Sequence, residues 1–100
     1  MRGMFAIRFT TEAIDDLRTY SKADRKRILD GIDACLRHEP GRETRNNKRL
    51  RPNRLAEREL RLGRFRVFYD IDEGNAWVKI EAVGHKRGNR VYVCGEEFQL

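Results

Sequence analysis

The sequence predicts an α+β fold in which one strand and two helices precede three antiparallel strands that share an apolar face. Three observations support this prediction. Apolar and polar residues alternate along residues 57–92, and two turn sequences divide that segment into three strands. Apolar residues recur at helical spacing in two segments between residues 10 and 39. A short alternating segment comes before both helices.

The first strand and the two helices have recognisable ends. Met4 to Phe9 alternates and forms the strand, and Thr10 or Thr11 is a suitable N-cap for the first helix. Ser21 begins the second helix with a sequence similar to a capping box. Pro40 requires that helix to end before it. The buried stripe predicted for the second helix comprises Ile28, Ile32, Cys35 and Leu36.

The first turn between the later strands is Leu62-Gly63-Arg64-Phe65. It fits a two-residue hairpin loop, with Gly63 at the position that needs a positive φ. This register places Leu62 opposite Phe65 and Arg61 opposite Arg66.

The second turn is Asp72-Glu73-Gly74-Asn75. Its predicted register places Ile71 opposite Ala76 and Phe65 opposite Ala82. Both registers put apolar residues on the same face, and a slip of one residue would invert every side chain. The agreement between two independent turns therefore favours this sheet.

The second face of the sheet is predicted to be polar and uncovered. Its side chains are Glu59, Arg61, Arg66, Phe68, Asp70, Trp77, Lys79 and Glu81. Like charges that face each other, such as Arg61 and Arg66, destabilise a sheet, and a phosphate held by two guanidinium groups would relieve the repulsion. Two simpler interpretations stay open: both arginines extend into water, or Glu81 forms an ion pair with Arg66.

Length and composition restrict the class of protein. A chain of 100 residues is predicted to be one domain, residues 1–100, and its net charge of +6 favours an acidic partner, either nucleic acid or an acidic protein segment. Two separated cysteines and two histidines indicate neither a zinc site nor a disulfide framework. Apolar runs are too short for a membrane span, and a signal-peptide pattern is missing. We therefore expect a soluble intracellular protein without metal or small-molecule cofactor.

Two basic segments are candidates for nucleic-acid contact. Residues 41–53 carry five cations and one glutamate, although such a run is often a solvated loop. Residues 84–92 combine cations and two glycines with Tyr92, which could stack on a base or could simply be half buried beside a basic loop. The candidate RNA-binding cations are Lys48, Arg49, Arg51, Arg64, Arg87 and Arg90.

Residues 59–71 (Glu-Leu-Arg-Leu-Gly-Arg-Phe-Arg-Val-Phe-Tyr-Asp-Ile), 82–87 (Ala-Val-Gly-His-Lys-Arg) and 89–97 form a pattern known from one family. The chain resembles RelE/ParE-family toxins of bacterial type II toxin–antitoxin systems over nearly its full length. The resemblance implies a βααβββ fold with a two-helix hairpin packed on one face of the sheet. For the RelE-like branch it also implies a cytoplasmic, metal-independent endoribonuclease that cuts mRNA on the ribosome and is inhibited by a cognate antitoxin.

The resemblance also assigns roles to residues. Arg66 matches an arginine that stabilises the scissile phosphate, and we add Arg61 as the second half of that clamp. Lys86 stands where the best-known member has arginine. Tyr92 matches an aromatic residue that stacks on a base or transfers a proton.

The general base stays open because the sequence departs from the family pattern. The two lysines of the RelE prototype align with Glu57 and Glu59. Glu59 or Glu81 is therefore a candidate base, or Lys48 takes over the lysine role. The missing lysines also fit a second hypothesis, a ParE-type inhibitor of DNA gyrase without nuclease activity. A third hypothesis is a toxin that has decayed to a module binding only antitoxin or RNA.

Overall fold

The structure is a computed structural model that describes residues 4–99. Strand β1 (Ala6–Phe9) leads into helices α1 (Thr11–Arg18) and α2 (Lys22–Leu36). The later strands are β2 (Asn47–Arg49), β3 (Arg58–Leu62), β4 (Phe65–Asp72), β5 (Trp77–Arg87), β6 (Arg90–Val93) and β7 (Glu96–Phe98). Strands β2 to β7 form an antiparallel sheet in sequence order, and β1 pairs in parallel with β5. The predicted α+β class is confirmed, as is the order of its main elements.

Two short strands were not predicted: β2 lies inside residues 41–53, which were expected to be irregular, and β6 takes the place of a basic loop. Residues 93–100 were expected to form a short edge element with a loose tail, and β7, paired with β6, is that element. Strands of three or four residues are too short to show a reliable alternation, so their pairing partners determine them.

Both helix starts are confirmed. The Thr10 hydroxyl accepts a hydrogen bond from the Ala13 amide at 3.0 Å, and the Ser21 hydroxyl accepts one from the Asp24 amide at 3.1 Å. The predicted stripe of α2 is buried at Ile28, Ile32 and Leu36, but Cys35 is exposed. The prediction for Cys35 was wrong because this side chain faces an open groove between the last turn of α2 and strand β2.

The first hairpin has the predicted register, with Arg61 opposite Arg66 and Gly63 at a φ of 60°. The second register was wrong: Ile71 pairs with Val78, and Phe65 pairs with His85. A bulge between Phe68 and Tyr69 then shifts the pairing of β4 with β5 by one more residue.

The bulge changes which face of the sheet the side chains of β5 after residue 81 point to. Phe68 pairs with Ala82 and Tyr69 pairs with Ile80, so Glu81 is the extra residue. The buried carboxylate of Asp16 accepts a hydrogen bond from the Val83 amide at 2.9 Å, which joins α1 to this irregular part of the sheet. Ala82 consequently belongs to the face opposite to the helices.

Each face of the sheet has its own apolar cluster. The main core lies between the helices and the sheet and includes Ile28, Ile32, Val67 and Ile80. A second cluster of Ala56, Phe68, Ala82 and Val93 lies on the other face, with Leu50, Leu55, Val91 and Phe98 packed against it. The prediction of an uncovered second face was therefore wrong in part, because the Phe68 ring is buried there by the segment before β3 and by β7. Within residues 4–99, neither helix is long and apolar enough to cross a membrane.

A buried polar network fixes the start of β3. The Tyr69 hydroxyl donates to the Pro40 carbonyl oxygen (2.6 Å) or to Asn47 Oδ1 (2.5 Å), and it accepts from Arg58 Nε at 3.3 Å. Burial raises the pKa of Tyr69, so the hydroxyl keeps its proton and stays a donor.

We expect Tyr69→Phe to lower the free energy of unfolding by about 1–3 kcal/mol, because it removes the buried donor to Asn47 Oδ1 and the acceptor of Arg58 Nε. Urea unfolding measures the change. Tyr92→Phe removes a hydroxyl from a half-buried ring and serves as the control. Equal stability of the two variants would show that the network does not stabilise the fold.

Candidate functional site

An open cleft of about 670 Å³ lies beside the second apolar cluster and is called the arginine cleft here. Its charged lining consists of the side chains Glu59, Arg61, Arg66, Lys86, Arg90 and Glu97. Leu50, Val91 and Phe98 form apolar parts of the wall. Cations outnumber carboxylates in this lining, so the cleft favours an anionic ligand.

Strand alternation explains why these cations meet. Arg61 and Arg66 are a cross-strand pair of the first hairpin, and Arg66 pairs with Gly84 on strand β5. Lys86 lies two residues beyond Gly84 and therefore points to the same face. The Lys86 amide donates to the Arg64 carbonyl oxygen at 2.7 Å, which holds the end of β5 beside the hairpin loop.

Arg66 is the most firmly fixed cation of the cleft. Its side chain is buried, and Nη1 donates to the carbonyl oxygens of Gly63 at 2.7 Å and Phe65 at 2.9 Å. Burial lowers the pKa of Arg66, and the charge of Glu59 opposes that shift. A guanidinium stays protonated under these conditions, so Arg66 offers a fixed positive charge.

Glu59 separates the two arginines. Its carboxylate is buried, Oε1 accepts from Arg61 Nε at 3.0 Å, and Oε2 lies 3.9 Å from Arg66 Nε. Neither simple interpretation of the arginine pair was right, because Arg66 is not solvated and its carboxylate neighbour is Glu59, not Glu81. The spacing of Glu59 and Arg61, two residues apart on one strand face, was the signal that could have shown this.

Two comparisons place the chain among known proteins. A family model described as the ParE toxin of the type II toxin–antitoxin system parDE matches residues 7–90. The chain belongs to the ParE toxin family of type II toxin–antitoxin systems. The resemblance to RelE/ParE toxins predicted from sequence is thereby confirmed.

A solved structure gives this ParE-family chain a structural relative. It is similar to a chain in the crystal structure of the toxin–antitoxin complex RelBE2 from Mycobacterium tuberculosis, at 26% identity and a TM-score of 0.71. The similarity covers 86% of this chain and 94% of that one. None of the curated proteins matches the chain.

Tyr92 lies on the other face of the ParE-family sheet, away from Arg66. It pairs with His85, and the two rings stack with centroids 5.8 Å apart. His85 Nδ1 lies 2.8 Å from the hydroxyl of Tyr20, which belongs to the helix side. Burial, aided by Arg64 and Arg87, lowers the pKa of His85, so this ring is mainly uncharged near neutral pH.

Glu81 also lies apart from the arginine cleft of this toxin. Its carboxylate is 3.3 Å from Lys79 Nζ, and burial together with a hydrogen bond to Asp70 raises the pKa of Glu81. The different second turn and the bulge together move Glu81 away from the position beside Arg66 that the sequence suggested, and Gly84 occupies that position.

The predicted RNA-binding cations of the ParE-family chain are distributed over several surfaces. Lys48 pairs with Glu59 across β2 and β3 and so shares the face of the cleft. Arg49 and Arg51 line a neighbouring groove. Arg64 is 3.0 Å from Asp24 of α2, and the Arg87 guanidinium lies 5.9 Å from the Tyr92 ring centroid. Arg90 alone of the six lines the arginine cleft itself, 3.5 Å from Glu97.

Proposed function

We propose that this ParE-family toxin is a metal-independent endoribonuclease that cleaves mRNA on the ribosome and is inhibited by a cognate antitoxin. The arginine cleft, in which Glu59 lies between Arg61 and Arg66, carries the proposal. The similarity to a chain of the RelBE2 toxin–antitoxin complex supports the antitoxin as partner.

The cleft offers the charges that phosphoryl transfer requires. In this proposal Arg61 and Arg66 hold the scissile phosphate, and their charges stabilise the phosphorane that forms from it. Arg66 is already fixed by two backbone carbonyl groups, so little reorganisation is needed when the phosphate binds. Lys86, at the exposed side of the cleft, lies where it can serve the leaving group.

Glu59 is the general base of this proposal. The Glu59 carboxylate lies between the two arginines that would hold the phosphate, so it is placed beside the reacting 2′-hydroxyl. When the phosphate takes over Arg61 Nε, Oε1 of Glu59 is released from its hydrogen bond. It then accepts the proton of the 2′-hydroxyl, whose oxygen bonds to phosphorus while the bond to the 5′ oxygen breaks. Lys86 donates a proton to that oxygen, which leaves as a 5′-hydroxyl.

Tyr92 has a different part in this proposal. Since its ring lies on the helix side, it would stack on a base that flanks the cleaved bond, with Arg87 beside it. The two faces of the β5–β6 hairpin would then hold successive nucleotides of one strand.

We expect Glu59→Gln to reduce cleavage by roughly a hundredfold or more, because an amide cannot accept the proton. Primer extension on mRNA from expressing cells measures the cuts, which should recur in phase with codons for the unchanged protein. Glu73→Gln, in the exposed second hairpin loop, is the matched control. Full cleavage by Glu59→Gln would exclude Glu59 as the base, and intact mRNA with active growth arrest would contradict the nuclease proposal.

A gyrase inhibitor is the second candidate function. Two observations favour it. The family model that matches the chain is described as the ParE toxin, and Tyr92 is separated from the arginine cleft. Supercoiling assays with purified DNA gyrase distinguish the candidates. Inhibition of supercoiling together with intact mRNA would establish the second function and exclude the first.

A further inference from the structure

A second groove, called the acidic groove here, lies on the other side of Phe98 from the arginine cleft. Its volume is about 640 Å³, and Phe98 lines both depressions. Leu55, Ala82, Val93 and Phe98 supply its apolar lining, and all four belong to the second apolar cluster. The acidic side chains that line it are Glu12, Asp15, Asp16, Glu81 and Glu96.

The charge of this groove is opposite to that of the whole chain, which carries a net +6. Among the described residues, Arg54 is the cation in its lining, and Arg54 Nη2 lies 2.7 Å from Glu96 Oε1. The Arg54 guanidinium also covers the Phe98 ring, 4.7 Å from its centroid. The groove would therefore repel a phosphate chain and attract a cationic ligand.

Its shape and lining suit a peptide. Leu55 and Phe98 are only partly buried and present apolar surface between the carboxylates, and Glu12 and Asp15 on α1 are exposed along one rim. A segment whose apolar residues alternate with lysines or arginines would bury that surface and place its cations beside the exposed carboxylates of Glu12 and Asp15.

We infer that the acidic groove binds a cationic, amphipathic segment of the antitoxin, an inference that rests on the antitoxin named in the proposed function. Because Phe98 separates two depressions of opposite charge, one inhibitory segment that crosses this ring places acidic residues in the arginine cleft and basic residues in the acidic groove. The charge order along the segment then fixes its direction on the toxin.

The probe is a short, fluorescently labelled synthetic peptide in which leucines alternate with lysines. Its binding to the purified full chain is measured by fluorescence anisotropy. We expect the double variant E12K/D15K to lose roughly tenfold or more in affinity, because two attractive charges become repulsive. D30K/D33K changes the net charge equally on the exposed face of α2, and it should bind within about twofold of the unchanged chain.

Amide chemical shifts of the unchanged chain provide a second measurement that does not depend on folding of a variant. Peptide addition should shift the signals of Glu12, Asp15 and Glu96. Shifts that avoid these residues, or equal losses in both double variants, would overturn the inference. A single-stranded RNA that binds the arginine cleft only weakly should not displace the peptide. Displacement by such an RNA would also overturn the inference, because the groove would then accept phosphate.

These readouts do not involve cleavage. Peptide binding in the groove without any cut in mRNA would refute the nuclease and leave the docking site intact. Cleavage of mRNA by a chain whose groove does not bind the peptide would support the nuclease and refute the docking site.

Discussion

Arg66→Ala should reduce mRNA cleavage by roughly 10²-fold to 10³-fold, the loss typical when one fixed donor to a transition-state charge is removed. Arg66 is buried and donates to two carbonyl groups, so its guanidinium is positioned before any phosphate arrives. Primer extension on cellular mRNA gives the cleavage, and growth after induction gives the toxicity.

Two further substitutions make this prediction specific. Arg18→Ala removes one exposed cation from α1 and should leave cleavage unchanged. Arg61→Ala removes the partly exposed half of the clamp and keeps the carbonyl contacts of Arg66, so it should reduce cleavage while the Arg66 guanidinium stays in place. Undiminished cleavage by both Arg66→Ala and Arg61→Ala would show that the reaction does not use this cleft.

Gly84→Ala should lower the free energy of unfolding by about 3 kcal/mol, at the upper end for overpacking. A methyl group at Gly84 would lie 2.2 Å from the Tyr92 carbonyl oxygen and 2.8 Å from Val93 Cγ2. Backbone cannot move aside as a flexible side chain does, so β6 would have to separate from β5. Since Gly84 pairs with Arg66, the same change should also displace the cleft wall that carries Arg90 and Val91.

The control for this prediction is Gly74→Ala in the second hairpin loop. Its added methyl group meets only Asp72 Oδ1, at an ordinary 3.6 Å. Chemical unfolding of both variants, followed by tryptophan fluorescence of Trp77, measures the difference. A Gly84→Ala protein as stable as Gly74→Ala would mean that β5 and β6 are not packed as closely as described.

The sequence predicted those parts of the fold that local rules determine. Thr10 and Ser21 are caps whose side-chain oxygens accept backbone amide hydrogens, so residue type alone locates both helix starts. The first hairpin followed from Gly63, since a two-residue loop that needs a positive φ leaves one register open. The pairing of Arg61 with Arg66, on which the candidate site depends, came from that turn.

The parts that could not be predicted depend on contacts distant in sequence. The bulge that leaves Glu81 unpaired is stabilised by Asp16, which is far from it in the chain. The second turn permits several loop lengths, so its residue types did not reveal that Ile71 pairs with Val78. The second apolar cluster arises because Phe68 is covered by the segment before β3 and by β7, and the sequence of a three-residue strand does not show which face it covers.

The candidate site was predicted in the same uneven way. Arg61, Arg66 and Lys86 come together because strand alternation applies to them directly. Tyr92 does not join them, since its face is set by pairing with His85 in a hairpin that periodicity did not indicate. The spacing of Glu59 and Arg61 indicated a shared strand face, but the approach of Glu59 to both guanidinium groups depends on side-chain geometry that spacing does not give.

In the proposed function, the arginine cleft holds the phosphate of a nucleic-acid strand. The most direct test of this claim follows the side-chain Nε–Hε signals of the arginines by NMR during titration with a short RNA that carries 2′-deoxy substitutions and cannot be cleaved. We expect the signals of Arg61 and Arg66 to shift first and most strongly, and those of Arg18 to stay in place. Shifts confined to the arginines on the helix side, with Arg61 and Arg66 unchanged at saturation, would contradict the claim.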